Sequence, residues 1–289
     1  MNLSSICFGC EPLGGVDWGN VNIGDIKKAI FKALDLGVNF FDTADVYGLG
    51  LSEERLSKIL GNKRFEVVIS SKGGMQWSFL ENSSRAKIIR NSSSAYIEMA
   101  VDMSLKRLRL ECIPIYFIHW PDLNTPFAET FTTLAKLQSK GKIASIGCSN
   151  FSLAEIKAAS IFAKIDYVQM PVNILNGPIE NETISYFEEN DIAVIAYNVL
   201  SYGLLTGKYN NLSSFGPLDR RSRLTMFQKN NYLESLEKIE KLSKQALEVN
   251  LPLSHFAIRW VLEQKNIISA IIGIKNEHQI IDNFSAIKN

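Results

Sequence analysis

Eight short apolar runs, each followed by a stretch of different period, constrain this chain more than any other feature. The runs are "SICFGC" (5–10), "VNFFDTA" (38–44), "EVVISSK" (66–72), "IPIYFIHW" (113–120), "IASIGCSN" (143–150), "YVQMPVN" (167–173), "IAVIAYN" (192–198) and "ISAIIGI" (268–274). They are unbroken rather than alternating, the pattern of parallel strands covered on both faces. The segments between them have helical spacing and legible ends. Ile26, Ile30, Ala33 and Leu34 share one helix face, and Gly37 beyond them suits a left-handed stop. "SEERLSKILG" predicts a helix that begins at Ser52 and stops at Gly61. "SLAE" (152–155) is a capping box, and Asn276 with Gln279 forms a similar start for the last helix. This alternation predicts a parallel α/β fold, and specifically a closed (β/α)8 TIM barrel, because no G-x-G-x-x-G turn follows the first strand. No linker or charge block divides residues 1–289, so a single domain is expected.

Composition bounds the partners. A net charge of +1 gives no electrostatic footprint, so neither nucleic acid nor an anionic membrane surface is expected. The longest apolar runs have strand length and fall short of a membrane span. "MNLSSICFGC" lacks a basic region followed by a long apolar stretch, so the expectation is a cytoplasmic chain, monomeric or weakly oligomeric. Its four cysteines (Cys7, Cys10, Cys112, Cys148) are then expected as reduced thiols. "CFGC" runs into the loop "EPLGG" rather than a helix, and no second pair completes a zinc site. Inert thiols and no metal are the expectation.

In a barrel the C-terminal strand ends face the active site. The second strand ends in Asp42 with Tyr47 just beyond, the third ends in Lys72, and the fourth ends in His119. An acid, a phenol, an amine and an imidazole therefore share one rim. An ammonium beside a phenol favours the phenolate and lowers its pKa from about 10. A carboxylate paired with the lysine fixes that charge, and an imidazole can orient a substrate carbonyl. The set suits protonation of an oxygen that is becoming an alkoxide.

"FFDTADVYG", "SSKGG" and "FIHWPD" resemble, in order and separation, the signatures of the aldo-keto reductase family. The resemblance continues through "GCSNFS" (147–152), "VQMPVN" (168–173), "GLLTGKY" (203–209) and "IIGIKNEHQIIDN" (271–283). It implies a catalytic tetrad of Asp42, Tyr47, Lys72 and His119, with Tyr47 as general acid, reducing an aldehyde or ketone at the expense of NADP(H). It also implies that Ser149, Asn150 and Gln169 hold the nicotinamide carboxamide and that the ring stacks on Tyr197. The family's Ser-Pro after this aromatic is replaced here by Asn198 and Val199, with Leu200 and Ser201 completing the segment. "GLLTGKY" is one residue short of a phosphate loop and lacks a hydroxyl residue after its lysine, so no ATP site is expected. The resemblance instead folds this segment and "DRRSR" over the pyrophosphate. Lys208 and Arg221 are then the contacts, with Arg220 or Arg223 as alternatives to the latter. Gly273, Lys275, Gln279, Asp282 and Asn283 would bind the adenosine phosphate end. Many relatives carry arginine where Gln279 stands, so NADP(H) rests on Lys275.

Specificity is expected from the loops Glu11–Asp17 and Met75–Trp77 and from Trp120. Glu11, Trp77 and Trp120 are the candidate substrate contacts, and the indole rings offer flat walls for a sugar-like carbonyl. The alternative is a nucleotide-binding regulatory module resembling the potassium-channel β-subunit branch. The short segment before the first strand sets the expectation toward an enzyme.

Overall fold

The computed structural model describes residues 1–19, 21–79 and 86–288. Ten strands are described: β1 (Ile6–Gly9), β2 (Phe40–Asp42), β3 (Val68–Gly73), β4 (Met75–Phe79), β5 (Ala86–Arg90), β6 (Ile113–Ile118), β7 (Ile143–Ser149), β8 (Tyr167–Pro171), β9 (Ala193–Tyr197) and β10 (Ile267–Gly273). Eight of them close a parallel barrel in the order β1-β2-β3-β6-β7-β8-β9-β10, and these eight coincide with the eight apolar runs. The helices are α1 (Ile23–Asp35), α2 (Leu51–Leu60), α3 (Ser94–Leu108), α4 (Phe127–Ser139), α5 (Leu153–Ser160), α6 (Asn181–Glu189), α7 (Lys229–Glu248), α8 (Leu253–Leu262) and α9 (Glu277–Ser285).

Strand period sorts side chains between two cores. Cys7, Phe40, Ile115, Phe117 and Ile195 pack together inside the barrel, while Phe41, Ile69 and Tyr116 belong to the layer beneath the helices. Two residues beyond Phe40, the same inward phase brings Asp42 to the barrel end. Ser70 and Lys72 likewise share one side of β3. A third cluster of Leu204, Leu205, Tyr232, Ile239 and Ala257 lies under the segment after β9 and is roofed by α7.

Local signals act as expected at most helix ends. Gly37 has φ +87 after α1, and Ser152 with Glu155 forms a complete capping box. Asn276 accepts the Gln279 N–H, but the Gln279 side chain accepts from Lys275 N rather than returning to the cap. Ser52 corrects one expectation. α2 begins at Leu51 behind Gly50, because the buried Ser52 hydroxyl donates to the Cys10 carbonyl and meets Thr43 Oγ1. The second correction is Met75–Trp77, expected as a loop. These residues form β4, which pairs antiparallel with β5 in a hairpin beside the barrel mouth.

Candidate active site

The ends of β2, β3 and β6 bring the four candidate residues together. Asp42 is paired with Ser70 in register, and Lys72 with Phe117. Lys72 Nζ donates to Asp42 Oδ2 at 2.5 Å and to the Thr43 carbonyl at 2.8 Å. The other carboxylate oxygen accepts from Ser70 Oγ at 2.7 Å and from Gln169 Nε2 at 2.6 Å. Asp42 and Lys72 are both buried, so each charge depends on its partner. Tyr47 lies beyond them, its ring centroid 5.0 Å from Lys72 Nζ and edge-on to His119 at 5.7 Å.

Electrostatics divide the roles. Burial holds the His119 imidazole well below its usual range, and the charges of Lys72 and Arg220 push in the same direction. His119 is therefore neutral at physiological pH. Its Nδ1 is buried with no hydrogen-bond partner. Tyr47 moves the other way: burial, Glu11 and Asp42 push its phenol well above 10, and Arg220 opposes them. The expectation that Lys72 makes this phenol acidic is corrected for the free protein. Asp42 neutralises the ammonium at contact distance, and a dry site penalises the phenolate. A neutral phenol and a neutral imidazole beside a locked ion pair can donate hydrogen bonds to a carbonyl oxygen, and the phenol carries the transferable proton.

The other expected residues ring the same mouth with different commitments. Ser149 Oγ accepts from Asn150 Nδ2, which also donates to the His119 carbonyl at 2.9 Å. Asn150 has φ +63 and accepts from the Tyr197 hydroxyl, so the ends of β6, β7 and β9 are tied through one side chain. Burial, with Tyr202 nearby, pushes the Tyr197 phenol far up. Gln169 uses its amide N–H on Asp42, a link between β8 and the tetrad that the sequence reading did not assign. Asn198 holds the following turn, its side-chain oxygen accepting from Tyr202 N, while Leu200 is half-buried and Ser201 buried.

The sequence around Asp219 builds a cationic cradle. Arg221 binds Asp219 through Nε at 2.8 Å and Nη2 at 2.5 Å, reaches the Tyr209 hydroxyl, and lies over Phe215 at 4.5 Å. Lys208 and Lys275 join it. Burial and mutual repulsion with Arg221 lower both ammonium groups. Three cations thus cluster together, with Asp219 beside Arg221 and Lys275, an arrangement stabilised by an anion. A Cβ at Gly273 would meet nothing within 4 Å, so backbone at the end of β10 is open to a ligand. These features fit the phosphates and open approach that a nicotinamide dinucleotide requires. Lys275 Nζ donates to the Trp18 carbonyl at 2.8 Å, and Gln279 is bonded to Lys275 N. Asn283 is buried, whereas Asp282 pairs with His255 of α8 at 3.0 Å and faces the helix layer.

Among the candidate substrate contacts, Glu11 binds Arg220 Nη1 at 2.7 Å. Trp77 sits on β4, and Arg90 of β5 lies over the Trp120 ring at 5.0 Å. Arg220 was an alternative phosphate contact in the sequence. The fold turns it instead toward Glu11, Trp18 and the tetrad. Trp18 stacks on Tyr202, and its buried indole N–H is directed at the Glu11 carboxylate, where it opposes the rise that burial imposes on that acid. Burial raises the thiols of Cys7 and Cys10 well above their usual range.

Comparison with known proteins places the fold and the family. The family model "Aldo/keto reductase family" matches residues 5–289. The chain is 32% identical to aldo-keto reductase YhdN of Bacillus subtilis, with 96% of this chain and 83% of that protein covered. It is 30% identical to the NADH-specific methylglyoxal reductase of Escherichia coli, with 99% and 90% covered. The glycerol dehydrogenase AKR11B4 of Gluconobacter oxydans superposes with a TM-score of 0.89 at 35% identity, with 99% and 87% of the two chains covered. The chain belongs to the aldo/keto reductase family of oxidoreductases, which use nicotinamide cofactors.

Proposed function

We propose that the protein reduces an aldehyde or ketone to an alcohol with NADP(H), and that Tyr47 is the general acid. The observation that carries this reading is the rim itself. A neutral phenol and a neutral imidazole stand beside the buried Asp42–Lys72 pair. The chemistry a bound nicotinamide supplies is hydride delivery to the carbonyl carbon. Tyr47 then gives its proton to the carbonyl oxygen, and His119 orients that oxygen. Lys72 answers the negative charge that develops on the phenolate, and Asp42 keeps Lys72 in place. Protonation of this kind contributes roughly 10²–10⁴-fold, and one preorganised donor to the developing charge roughly 10²–10³-fold.

Ser149, Asn150 and Gln169 are the proposed carboxamide contacts, and Tyr197 is the stacking ring. Asn198, Leu200 and Ser201 form the adjoining wall, and Lys208 and Arg221 are the pyrophosphate contacts. Gly273, Lys275, Gln279 and Asn283 are assigned to the adenosine end, and Asp282 is left out because it pairs with His255 of α8. NADP(H) is preferred because Lys275 adds a charge that NAD(H) does not need. The relatives divide on this point: one from Schizosaccharomyces pombe is named for NADP(+), the Escherichia coli reductase for NADH. The substrate class is a small, sugar-like carbonyl, supported by the methylglyoxal and glycerol named for two relatives. Trp77 and Trp120 are its proposed walls and Glu11 its polar contact. Unpaired, mostly buried thiols favour a reducing, cytoplasmic setting.

The test is the loss of NADPH absorbance with a panel of aldehydes and keto-sugars, repeated with NADH. Turnover with a higher kcat/KM for NADPH is expected. A higher value for NADH overturns the cofactor preference. No turnover on any carbonyl, with nucleotide still bound, shifts the reading to a nucleotide-binding regulatory module.

A further inference from the structure

A second ion pair acts on Tyr47 besides Asp42–Lys72, and nothing in the reduction step requires it. Glu11 opens a short 3-10 turn (Glu11–Gly14) directly after β1. That turn packs on the Tyr47 backbone so closely that a Cβ at Gly14 would lie 2.8 Å from Tyr47 C and 2.7 Å from Gly48 N. Arg220 arrives from the far end of the chain. Its Nη1 binds Glu11 Oε1 at 2.7 Å, its backbone N–H donates to the Asp17 carbonyl at 2.9 Å, and its guanidinium lies over Trp18 at 5.6 Å. Arg223 binds Asp17, and Trp18 bridges to Asp219, so two loops are clasped across the barrel mouth. Glu11 and Arg220 both act electrostatically on Tyr47, and Arg220 acts on His119 as well.

The chemistry of this cluster is selective. Glu11 accepts and Arg220 donates, and the buried Trp18 indole N–H is directed at the same Glu11 carboxylate. Glu11 and Arg220 neutralise each other at contact distance, so the pair itself offers no net charge to an anion. An anionic substrate would have to displace Glu11 from Arg220 and leave that half-buried carboxylate unpaired. An apolar substrate would cover the pair without answering its hydrogen bonds. A neutral substrate with hydroxyls beside its carbonyl satisfies both ends, since one hydroxyl can accept from Arg220 and another donate to Glu11.

Building on the reductase reading above, we propose that the Glu11–Arg220 pair is the specificity element, and that it selects neutral hydroxylated carbonyls. The test compares kcat/KM for glyceraldehyde, for propanal, which has the same carbon chain without the hydroxyls, and for glyoxylate as an anion. The wild-type protein should prefer glyceraldehyde to propanal by at least about tenfold. In Glu11→Gln and in Arg220→Met, that ratio should fall by about tenfold or more, whatever each variant does to overall rate. Because both substrates use the same proton donor, a change in Tyr47 acidity or in clasp stability cancels in the ratio. A ratio unchanged in both variants overturns the proposal, as does a wild-type preference for glyoxylate. Propanal turnover keeps the reductase reading standing even then. Absence of turnover on all three would remove both.

Discussion

Two ion pairs flank Tyr47, and they differ in what holds them. Asp42 and Lys72 come from adjacent barrel strands, are 4% and 2% exposed in their side chains, and have further bonds from Ser70, Gln169 and Thr43. Glu11 and Arg220 come from loops more than two hundred residues apart and are 25% and 31% exposed. The first pair is over-determined: register fixes both side chains, and neither can turn away without stranding a buried charge. The second depends on a clasp of loop contacts that sequence change can remodel without disturbing the sheet. Chemistry is therefore built on strands and selection on loops, the division expected for function carried at a barrel's C-terminal face.

Removing one partner of the strand pair should have the largest effect on stability. Lys72→Met leaves Asp42 buried and uncompensated, and should cost about 3–5 kcal/mol in denaturant unfolding. The equivalent change at Arg220 leaves Glu11 unpaired but partly open to water, and should cost less, about 1–2 kcal/mol. Equal losses at the two positions would erase the distinction between the pairs. Arg221→Met, which dismantles the cationic cradle away from both pairs, should weaken dinucleotide binding by about tenfold in fluorescence titration. The deficit should shrink as salt rises.

A smaller effect of opposite sign is expected at Asp45. This carboxyl is buried beside Glu53, and burial followed by that like charge raises its pKa well above the ordinary value. Above about pH 3.9 the unfolded chain releases this proton more readily than the folded one, so the contribution of Asp45 to stability worsens as pH rises. Asp45→Asn should accordingly raise Tm at neutral pH by roughly 2–4 °C. The gain should vanish when both proteins are melted near pH 4. A gain that persists at low pH would indicate repacking rather than relief of a buried charge.

The residues that sequence made legible are those whose position follows from strand period alone. Asp42, Lys72 and His119 end unbroken apolar runs, and a closed barrel leaves such ends nowhere to point but the mouth. The β4–β5 hairpin was not legible, because β5 is mostly exposed and carries no buried stripe to announce a strand. In "DRRSR" three arginines look alike. Only the fold separates them, sending Arg220 to Glu11, Arg221 to Asp219 and Arg223 to Asp17. Ser52 reads as the start of its helix, yet the helix begins one residue earlier at Leu51 and the Ser52 hydroxyl is bonded to Cys10 and Thr43. The acidity of Tyr47 was misjudged for a related reason: sequence shows the neighbouring lysine but not the burial that outweighs it.

Single-turnover carbonyl reduction by Tyr47→Phe tests the assignment of the proton donor most directly, with NADPH binding followed in parallel by fluorescence. Reduction should fall by roughly 10²–10⁴-fold while the dinucleotide binds as before, since the ring is kept and only the proton is lost. Near-native reduction by this variant would contradict the assignment and place the proton donor elsewhere on the rim.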